Sequence, residues 1–426
     1  MPDVSFNNLL AVAAIAVLAP LLLGFAPRLR VPAIVLEIVA GVIVGPSVLG
    51  WVEVDLPVSI LAILGLAFVL FLAGLEIDVH RLRGGLLTAA LLGFAVTVVL
   101  ALGAAAGFAA GGWVTSPLIV ATALCATGLG LVVPVLKDAG QVDTEVGQTT
   151  IAGSSVADFG AVLLLSFLFS MSAGGTGSRV VLALAFAVLV VLTVVLAMRA
   201  GMSMRLGDVI FRLQDTTAEI RVRLAVLLLV AFVVLAEVFG LESILGAFVA
   251  GAVIGAIDKD SSGHPHLRTK LEAIGYGFLV PVFFVTSGLR LDLSGLLEDP
   301  SALARVPLFL LALLLVRGVP AALYVPMLGR RASVAAALLQ ATSLPFIVAA
   351  TQIGVELGEL SAVNAAALVC AGLLSVLVFP PAALVLLRGG KGPPDTTGGP
   401  DAGGGTTDET ASGAAKSADT SKEAAQ

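Results

Sequence analysis

One acid lies in the middle of a long apolar segment between positions 144 and 170. This acid is Asp158, and the hydroxyl residues Ser154 and Ser155 precede it by four and three positions. On a helix, that spacing places the three oxygen-bearing side chains on one side of a single turn. A carboxylate is costly to bury in a membrane and normally marks a functional site. Carboxylate and hydroxyl oxygens suit small hard cations, so we interpret the cluster as a candidate cation site.

A single base, Arg317, lies within another apolar run, LLALLLVRGVPAAL. A guanidinium does not release its proton in proteins, so we predict a fixed charge and not a proton carrier. The alternative is an arginine whose stem is buried and whose charge reaches the membrane surface. Among the remaining acids, Glu76 is the best candidate for a secondary polar contact with the ion.

The composition places the whole chain in a membrane. Of its 426 residues, 58% are hydrophobic and only 12% are charged, whereas about a quarter of residues are charged in soluble domains. Neither cysteine has CxxC spacing, so a thiolate metal site is not supported. No basic patch suggests nucleic acid, and no GxGxxG follows a strand, so we predict neither a cofactor nor a nucleotide-sensing domain.

Apolar windows of span length recur along the chain and predict about thirteen transmembrane helices. The predicted spans are 7–26, 31–50, 56–77, 86–112, 116–136, 147–172, 179–198, 222–240, 241–257, 271–290, 303–327, 332–353 and 361–387. Lys and Arg concentrate in every second loop, starting after the first span. Basic loops remain in the cytoplasm, so we predict an external N-terminus and a cytoplasmic C-terminus.

Two motifs occur twice. VAGVIVG at 39–45 recurs as VAGAVIG at 249–255, and GLEID at 74–78 recurs as GLRLD at 288–292. Both matches shift by seven spans, an odd number, so the two copies cross the membrane in opposite directions. Such inverted repeats are common in secondary transporters, whose site lies at mid-membrane where the repeats meet. Chance similarity among helices rich in Gly, Ala and Val is the alternative.

The fifth and twelfth spans correspond in this repeat, and both contain helix-weakening residues at mid-depth. The fifth has Thr127, Gly128, Gly130 and Pro134, and the twelfth has Thr342, Ser343 and Pro345. We predict that both helices are broken there, with a simple proline kink as the alternative. Broken helices direct terminal dipoles and free carbonyls at a common centre, which suits small-ion binding.

The chain changes character after position 388. Residues 389–426 have almost no large apolar side chains and are predicted to be a disordered cytoplasmic tail. Residues 1–388 are predicted to form one transmembrane domain. Within it, the segment 201–222 alternates apolar and basic residues and could lie as an amphipathic helix at the cytoplasmic surface.

Several phrases together resemble a known family. LEIVAGVIVGPSVLG, FVLFLAGLEIDVHRLR, ATGLGLVVPVLKDAG, SSVADFGAVLLL, LESILGAFVAGAVIG and PVFFVTSGLRLDL are similar to the monovalent cation:proton antiporter superfamily, in its bacterial sodium/proton exchanger branch. The resemblance covers roughly residues 5–388. It implies an all-α polytopic membrane protein with the sodium/proton antiporter fold, in which inverted-topology repeats contribute two crossing broken helices. It also implies a homodimer with a dimerisation bundle and a mobile core bundle.

The resemblance also assigns expected roles to individual residues. Asp158 matches the essential aspartate of the family's paired motif, but the preceding residue, usually Asp, Asn or Gln, is here Ala157. Arg317 matches a conserved Lys or Arg, Thr127 matches the polar residue at the helix crossing, and Ser154 matches a position that supplies an oxygen ligand in some members. The twelfth span lacks the acid of the glutathione-gated potassium efflux type and carries Leu344-Pro345 instead.

These observations lead to the expectation of a cation/proton antiporter in the plasma membrane and not of an enzyme. Asp158 would bind Na⁺, or K⁺, and H⁺ in turn, with Ser154, Ser155 and Thr127 as candidate oxygen ligands. Arg317 would balance charge, and Glu76 and Ser343 would be secondary polar contacts. A single titrating acid predicts electroneutral one-for-one exchange. A sodium-coupled symporter of an organic anion, which can use the same architecture, is the alternative.

Overall fold

The computed structural model describes residues 5–25, 32–76, 85–172, 219–239, 241, 243–260 and 266–388, which are almost entirely helical. Helices are expected of apolar runs in lipid, because each helix satisfies its own backbone polar groups. The prediction of an all-α protein is confirmed. The α-helices are α1 (Asn7–Phe25), α2 (Ala33–Val44), α3 (Leu56–Leu75), α4 (Gly85–Ala110), α5 (Pro117–Cys125), α6 (Leu129–Asp138), α7 (Glu145–Ser172), α8 (Ile220–Val238), α9 (Ser243–Asp260), α10 (His266–Ile274), α11 (Val280–Leu289), α12 (Leu293–Glu298), α13 (Pro300–Gly318), α14 (Val325–Gln340), α15 (Pro345–Glu356) and α16 (Ala362–Arg388).

Within the described residues, eight helical segments are long and apolar enough to cross a membrane. The longest, Pro300–Glu356, has 57 residues and contains the two predicted spans 303–327 and 332–353. Gly329 separates them, because its φ of +75° turns the chain out of the helical path. The predicted span 179–198, most of the amphipathic segment and the tail lie outside the described residues, so the count of thirteen stays a prediction. The described helices belong to one unit that ends at Arg388.

Both predicted helix breaks are present and they touch each other. The first lies between the end of α5 at Cys125 and the start of α6 at Leu129, and the second between α14 and α15. The backbone N–H of Gly128 in the first break donates to the carbonyl of Thr342 in the second at 2.8 Å. Pro345 occupies the first turn of α15, where its missing N–H costs nothing. Gly130 and Pro134, expected to contribute to the first break, lie inside α6.

The repeated motifs make equivalent contacts in the two halves. A Cβ added to Gly41 in α2 would lie 2.2 Å from the carbonyl oxygen of Val285 in α11, and one added to Gly251 in α9 would lie 1.9 Å from that of Phe71 in α3. Gly41 and Gly251 hold the third position of VAGVIVG and VAGAVIG, and Val285 and Phe71 precede the glycines of GLRLD and GLEID by three residues. These are the matched contacts expected of two copies of one unit.

The predicted span 271–290 is interrupted in a way that the sequence analysis did not foresee. A π-helical turn, Gly275–Leu279, separates α10 from α11. Such turns insert an extra residue into a helix and often occur at functional sites. A second irregular element, the 3₁₀ helix Val319–Tyr324, joins α13 to α14.

The helical bundle has two ends, which are named here by one residue each. The Glu76 end is where α3 ends and where Ile34, near the start of α2, shares a cavity with Glu76. The Arg290 end is where α11 ends and where Arg290 contacts Ser59 near the start of α3.

Candidate functional site

The carboxylate of Asp158, on α7, lies at the break between α5 and α6. Its Oδ1 accepts the backbone N–H of Thr127 at 2.8 Å, and its Oδ2 accepts that of Leu129 at 3.3 Å. Free N–H groups and the helix dipole make a helix N-terminus favourable for a negative charge. Asp158 is only 8% exposed, so its carboxylate needs polar partners within the protein. The backbone N–H groups at the helix break supply them.

Arg317 lies close to this carboxylate but binds hydroxyl groups. The Thr127 hydroxyl accepts from Nε of Arg317 at 2.9 Å and also from its Nη2. The Thr97 hydroxyl, on α4, accepts from Nη1 at 3.1 Å. Among the described residues, no carboxylate lies within 4.0 Å of the guanidinium. Arg317 is 2% exposed, so the alternative of a charge reaching the membrane surface is wrong.

Thr127 joins the broken helices through both its backbone and its side chain. Its hydroxyl donates to the carbonyl of Gln340, the last residue of α14, at 2.8 Å. This hydroxyl therefore already has a donor partner in Arg317 and an acceptor partner in Gln340. To coordinate a cation, it would have to release Arg317, which makes Thr127 primarily a link between the two breaks in this conformation.

A cavity of about 60 Å³ opens beside Asp158 toward the Glu76 end. By this measure a water molecule needs roughly 10–15 Å³, so the cavity has room for several small groups. Its polar lining comes from Glu76, Thr127, Asp158 and Tyr276, together with the first residues of α6. Most of the remaining lining is apolar and includes Ile34, Val69, Leu70, Phe248, Phe284 and Phe346.

Glu76 and Tyr276 approach the start of α6 together. A Cβ added to Gly130 would lie 3.4 Å from the Tyr276 hydroxyl and 3.9 Å from both carboxylate oxygens of Glu76. Oε2 of Glu76 is buried and has no hydrogen-bond partner among the described residues, while Oε1 lies 3.9 Å from Nη2 of Arg268. Two carboxylates, those of Asp158 and Glu76, therefore line the same cavity.

Ser154 and Ser155 are buried on α7, beside Asp158 in sequence, but they are not part of the cavity lining. The hydroxyl oxygen of Ser154 is buried without a hydrogen-bond partner in the described part of the chain. Such a group is costly to leave unsatisfied. An unpaired oxygen one helical turn from the carboxylate is available for a ligand.

Ser343, in the second break, pairs with Ser375 on α16. The backbone N–H of Ser343 donates to the Ser375 hydroxyl at 3.2 Å, and that hydroxyl lies 3.1 Å from the Ser343 carbonyl. This contact resembles the one between Asp158 and the N–H of Thr127, but a neutral hydroxyl replaces the carboxylate. The Ser343 hydroxyl is buried, lacks a partner among the described residues and does not line the cavity.

Several residues of this site were not predicted from the sequence. Thr97, Gln340 and Ser375 are buried polar residues within apolar helices, and Tyr276 is the one tyrosine that lines the cavity. Isolated polar positions in α4 and α16 were a usable signal, because they are expensive in a membrane. In the described part of the chain, no group of three or more His, Cys, Asp and Glu residues could hold a metal ion.

Comparison with known proteins gives consistent matches. The family described as "Sodium/hydrogen exchanger, transmembrane" matches residues 13–388. A "Putative Na(+)/H(+) antiporter YjbQ" from Bacillus subtilis is 30% identical over 395 residues, which cover 89% of this chain and 63% of that protein. The chain thus spans less than two thirds of that relative. A "Na(+)/H(+) antiporter" from Enterococcus hirae is 31% identical over 64% of this chain and 70% of its own length.

One solved structure has a similar fold. It is the sodium proton antiporter MjNhaP1 from Methanocaldococcus jannaschii at pH 8, with a TM-score of 0.60 and 18% sequence identity. The similarity covers 89% of this chain and 98% of that one. At this identity the match concerns the fold, and it confirms the predicted antiporter architecture.

Proposed function

Because the chain belongs to the sodium/hydrogen exchanger family, we propose that it exchanges a monovalent cation for a proton across the plasma membrane. The cation is sodium or potassium. One observation carries the proposal, namely that a buried carboxylate, Asp158, lines a cavity and lies at the crossing of two broken helices.

Asp158 can serve both ions because either one neutralises it. An ionised Asp158 accepts two backbone N–H groups and retains lone pairs that can bind a cation. A proton on the same carboxylate removes the charge that attracts the cation. If only the neutralised site crosses the apolar barrier, competition for one carboxylate couples the two fluxes without further machinery.

The remaining ligands would come from oxygens around Asp158. Ser154 is the strongest candidate because its buried oxygen has no partner among the described residues. Ser155 and Thr127 are further candidates, and Thr127 would contribute only after rearrangement because its hydroxyl binds Arg317. Glu76, in the same cavity, attracts the cation and offers a secondary polar contact. Ser343, in the second break, offers another secondary polar contact.

Arg317 acts as a fixed charge that does not exchange protons. Its guanidinium binds the hydroxyl of Thr127, the residue whose backbone N–H binds the carboxylate of Asp158. This contact stabilises the crossing of the broken helices. With one titrating acid at the crossing and Ala157 beside it, one proton is exchanged for each cation. Exchange of one positive charge for another moves no net charge across the membrane.

The orientation proposed from the basic loops places the Glu76 end in the cytoplasm and the Arg290 end outside. The cavity beside Asp158 then faces the cytoplasm. The protein works as a homodimer in the lipid bilayer, in which one bundle stays at the dimer interface while the other carries the site.

The test uses purified protein in proteoliposomes that contain a pH-sensitive dye and no organic solute. Adding Na⁺ or K⁺ should drive proton flux in the wild type and none in Asp158→Asn, which is nearly isosteric. Glu298→Gln, the same change of a carboxylate to an amide at an exposed residue, is the control and should keep full flux. Exchange that persists in Asp158→Asn would show that another group is the site. A requirement for an organic solute would point to symport instead.

A further inference from the structure

A second cavity, of about 280 Å³, lies at the Arg290 end between α11, α15 and α16. Its polar lining consists of Ser287, Arg290, Thr351, Gln352 and Glu356. This cavity is separate from the one at the Glu76 end, because the two share no lining residue and Asp158 lines only the latter.

The two cavities follow one another along the same pair of helices. On α11, Phe284 lines the first cavity and Ser287 the second, three residues later. On α15, Phe346 lines the first and Val348 the second. Three helical residues rise about 4.5 Å, so only a thin layer of side chains, which includes the buried Thr286, separates the cavities. A path from the second cavity would therefore reach the crossing of the broken helices once this layer opens.

The sequence repeat relates the lining of the two cavities. Within GLEID and GLRLD, Glu76 occupies the position of Arg290, and directly before these motifs Ala73 occupies the position of Ser287. Ala73 and Glu76 line the first cavity, whereas Ser287 and Arg290 line the second. Equivalent positions thus face cavities at opposite ends, but the charge is reversed from a carboxylate to a guanidinium.

Arg290 contacts one residue that lines its cavity and one residue of α3 outside the lining. Its Nη1 lies 3.4 Å from Oε1 of Glu356 on α15, and its Nη2 lies 3.2 Å from the hydroxyl of Ser59 on α3. Glu356 is 61% exposed, so this ion pair is weak. Much of the positive charge of Arg290 therefore acts on a cation in the cavity. A monovalent cation in this cavity meets the positive charge of a lining residue, whereas no described Lys or Arg lines the cavity at the Glu76 end, where Arg268 lies 3.9 Å from Glu76 outside the lining.

We propose that the second cavity is the entrance through which the transported cation reaches the Asp158 site from the Arg290 end, and that Arg290 lowers the apparent affinity for the cation on that side. This inference rests on the proposed exchange at Asp158. A cation approaching the Glu76 end meets a carboxylate, so the protein binds its cation more readily from that side. Arg290 is a specificity-determining residue and not a ligand.

The experiment measures KM and kcat for Na⁺-driven proton flux separately from each membrane face, in right-side-out and in everted vesicles. Arg290→Gln should lower KM by about three- to tenfold at the face of the Arg290 end, as expected for removing one nearby charge. KM at the opposite face, and kcat at both, should change less than about twofold on the same grounds. Arg305→Gln removes an arginine that does not line the cavity and should leave both KM values near the wild-type values.

Two further measurements test the inference even if Arg290→Gln fails to fold. Glu356→Gln should raise KM at the same face, because it leaves the Arg290 charge uncompensated. In the wild type, raising ionic strength with choline chloride should lower KM at that face alone, because screening weakens the repulsion. Equal changes at both faces, or none at either, would overturn the inference while leaving exchange at Asp158 intact. Absence of cation-driven proton flux in the wild type would overturn both.

Discussion

Arg317 donates to the hydroxyl of Thr127, and the backbone N–H of Thr127 in turn binds the carboxylate of Asp158. The buried base and the buried acid are thus connected through one threonine at the crossing of the broken helices. This arrangement gives Arg317 an architectural role, since it holds the residue that positions the carboxylate.

Replacing Arg317 should lower stability more than it changes ion affinity. Arg317→Ala removes three hydrogen bonds from a charged donor, so we expect a loss of about 2–4 kcal/mol in the free energy of unfolding. The free energy of unfolding of Arg317→Lys should lie between those of the wild type and Arg317→Ala, because one ammonium cannot reach both Thr97 and Thr127 as the guanidinium does. Thermal unfolding in detergent checks the order. Equal midpoints for the wild type and Arg317→Ala would contradict it.

Substitutions of Thr127 can separate its structural role, the contact with Arg317 at the helix crossing, from a role as a ligand of the cation. Thr127→Ser keeps the hydroxyl that binds Arg317, whereas Thr127→Val removes it and leaves the backbone contact with Asp158 intact. We expect Thr127→Val to lose about 1–3 kcal/mol of stability, because two buried guanidinium N–H groups lose their acceptor. Thr127→Ser should remain near the wild type. A change in KM for Na⁺ with unchanged stability would instead identify the hydroxyl as a ligand.

The repeated glycines should be equally intolerant of a methyl group. In both Gly41→Ala and Gly251→Ala, the new Cβ would overlap a backbone carbonyl oxygen of the neighbouring helix. We expect each to cost about 1–3 kcal/mol or to abolish folding, since backbone cannot move aside cheaply. Gly107→Ala is the matched control, because nothing lies within 4 Å of its added Cβ. It should be neutral or gain up to about 1 kcal/mol from helix propensity. A tolerated Gly251→Ala would contradict the close packing of α9 on α3.

Exchange should be insensitive to membrane potential. One net charge moved per cycle would couple to the field by about 2.3 kcal/mol per 100 mV, whereas one-for-one exchange has no such coupling. The measurement is the sodium gradient that just balances a fixed pH gradient, determined in potassium-free buffer with and without a membrane potential set by a gradient of the permeant anion thiocyanate. An unchanged balance point is expected, and a shift proportional to the potential would refute electroneutral exchange.

The sequence was informative wherever a residue is costly for the membrane to accommodate. Asp158, Arg317 and the Gly- and Pro-containing breaks stood out because charges and weakened helices are expensive in lipid. The repeats were visible because close helix packing demands glycine at fixed positions. The pairing of Arg317 with the hydroxyls of Thr97 and Thr127 could not be predicted, because it depends on how α13 approaches α4 and the first break.

The π turn that contains Tyr276 was also not predictable, since local propensity does not specify an inserted residue. Ser154 and Ser155 show a different limit. Helical spacing predicted that they share one side of a turn with Asp158, but it did not reveal that neither serine lines the cavity beside the carboxylate.

The most direct test of Asp158 as the shared site is proton release on cation binding to purified protein in weakly buffered detergent solution. Near the pH at which half of the sites are protonated, adding Na⁺ should release protons from the wild type in an amount that saturates with the cation. Asp158→Asn should release none, while Glu298→Gln should match the wild type. Undiminished release from folded Asp158→Asn would contradict competition between the two ions at this carboxylate.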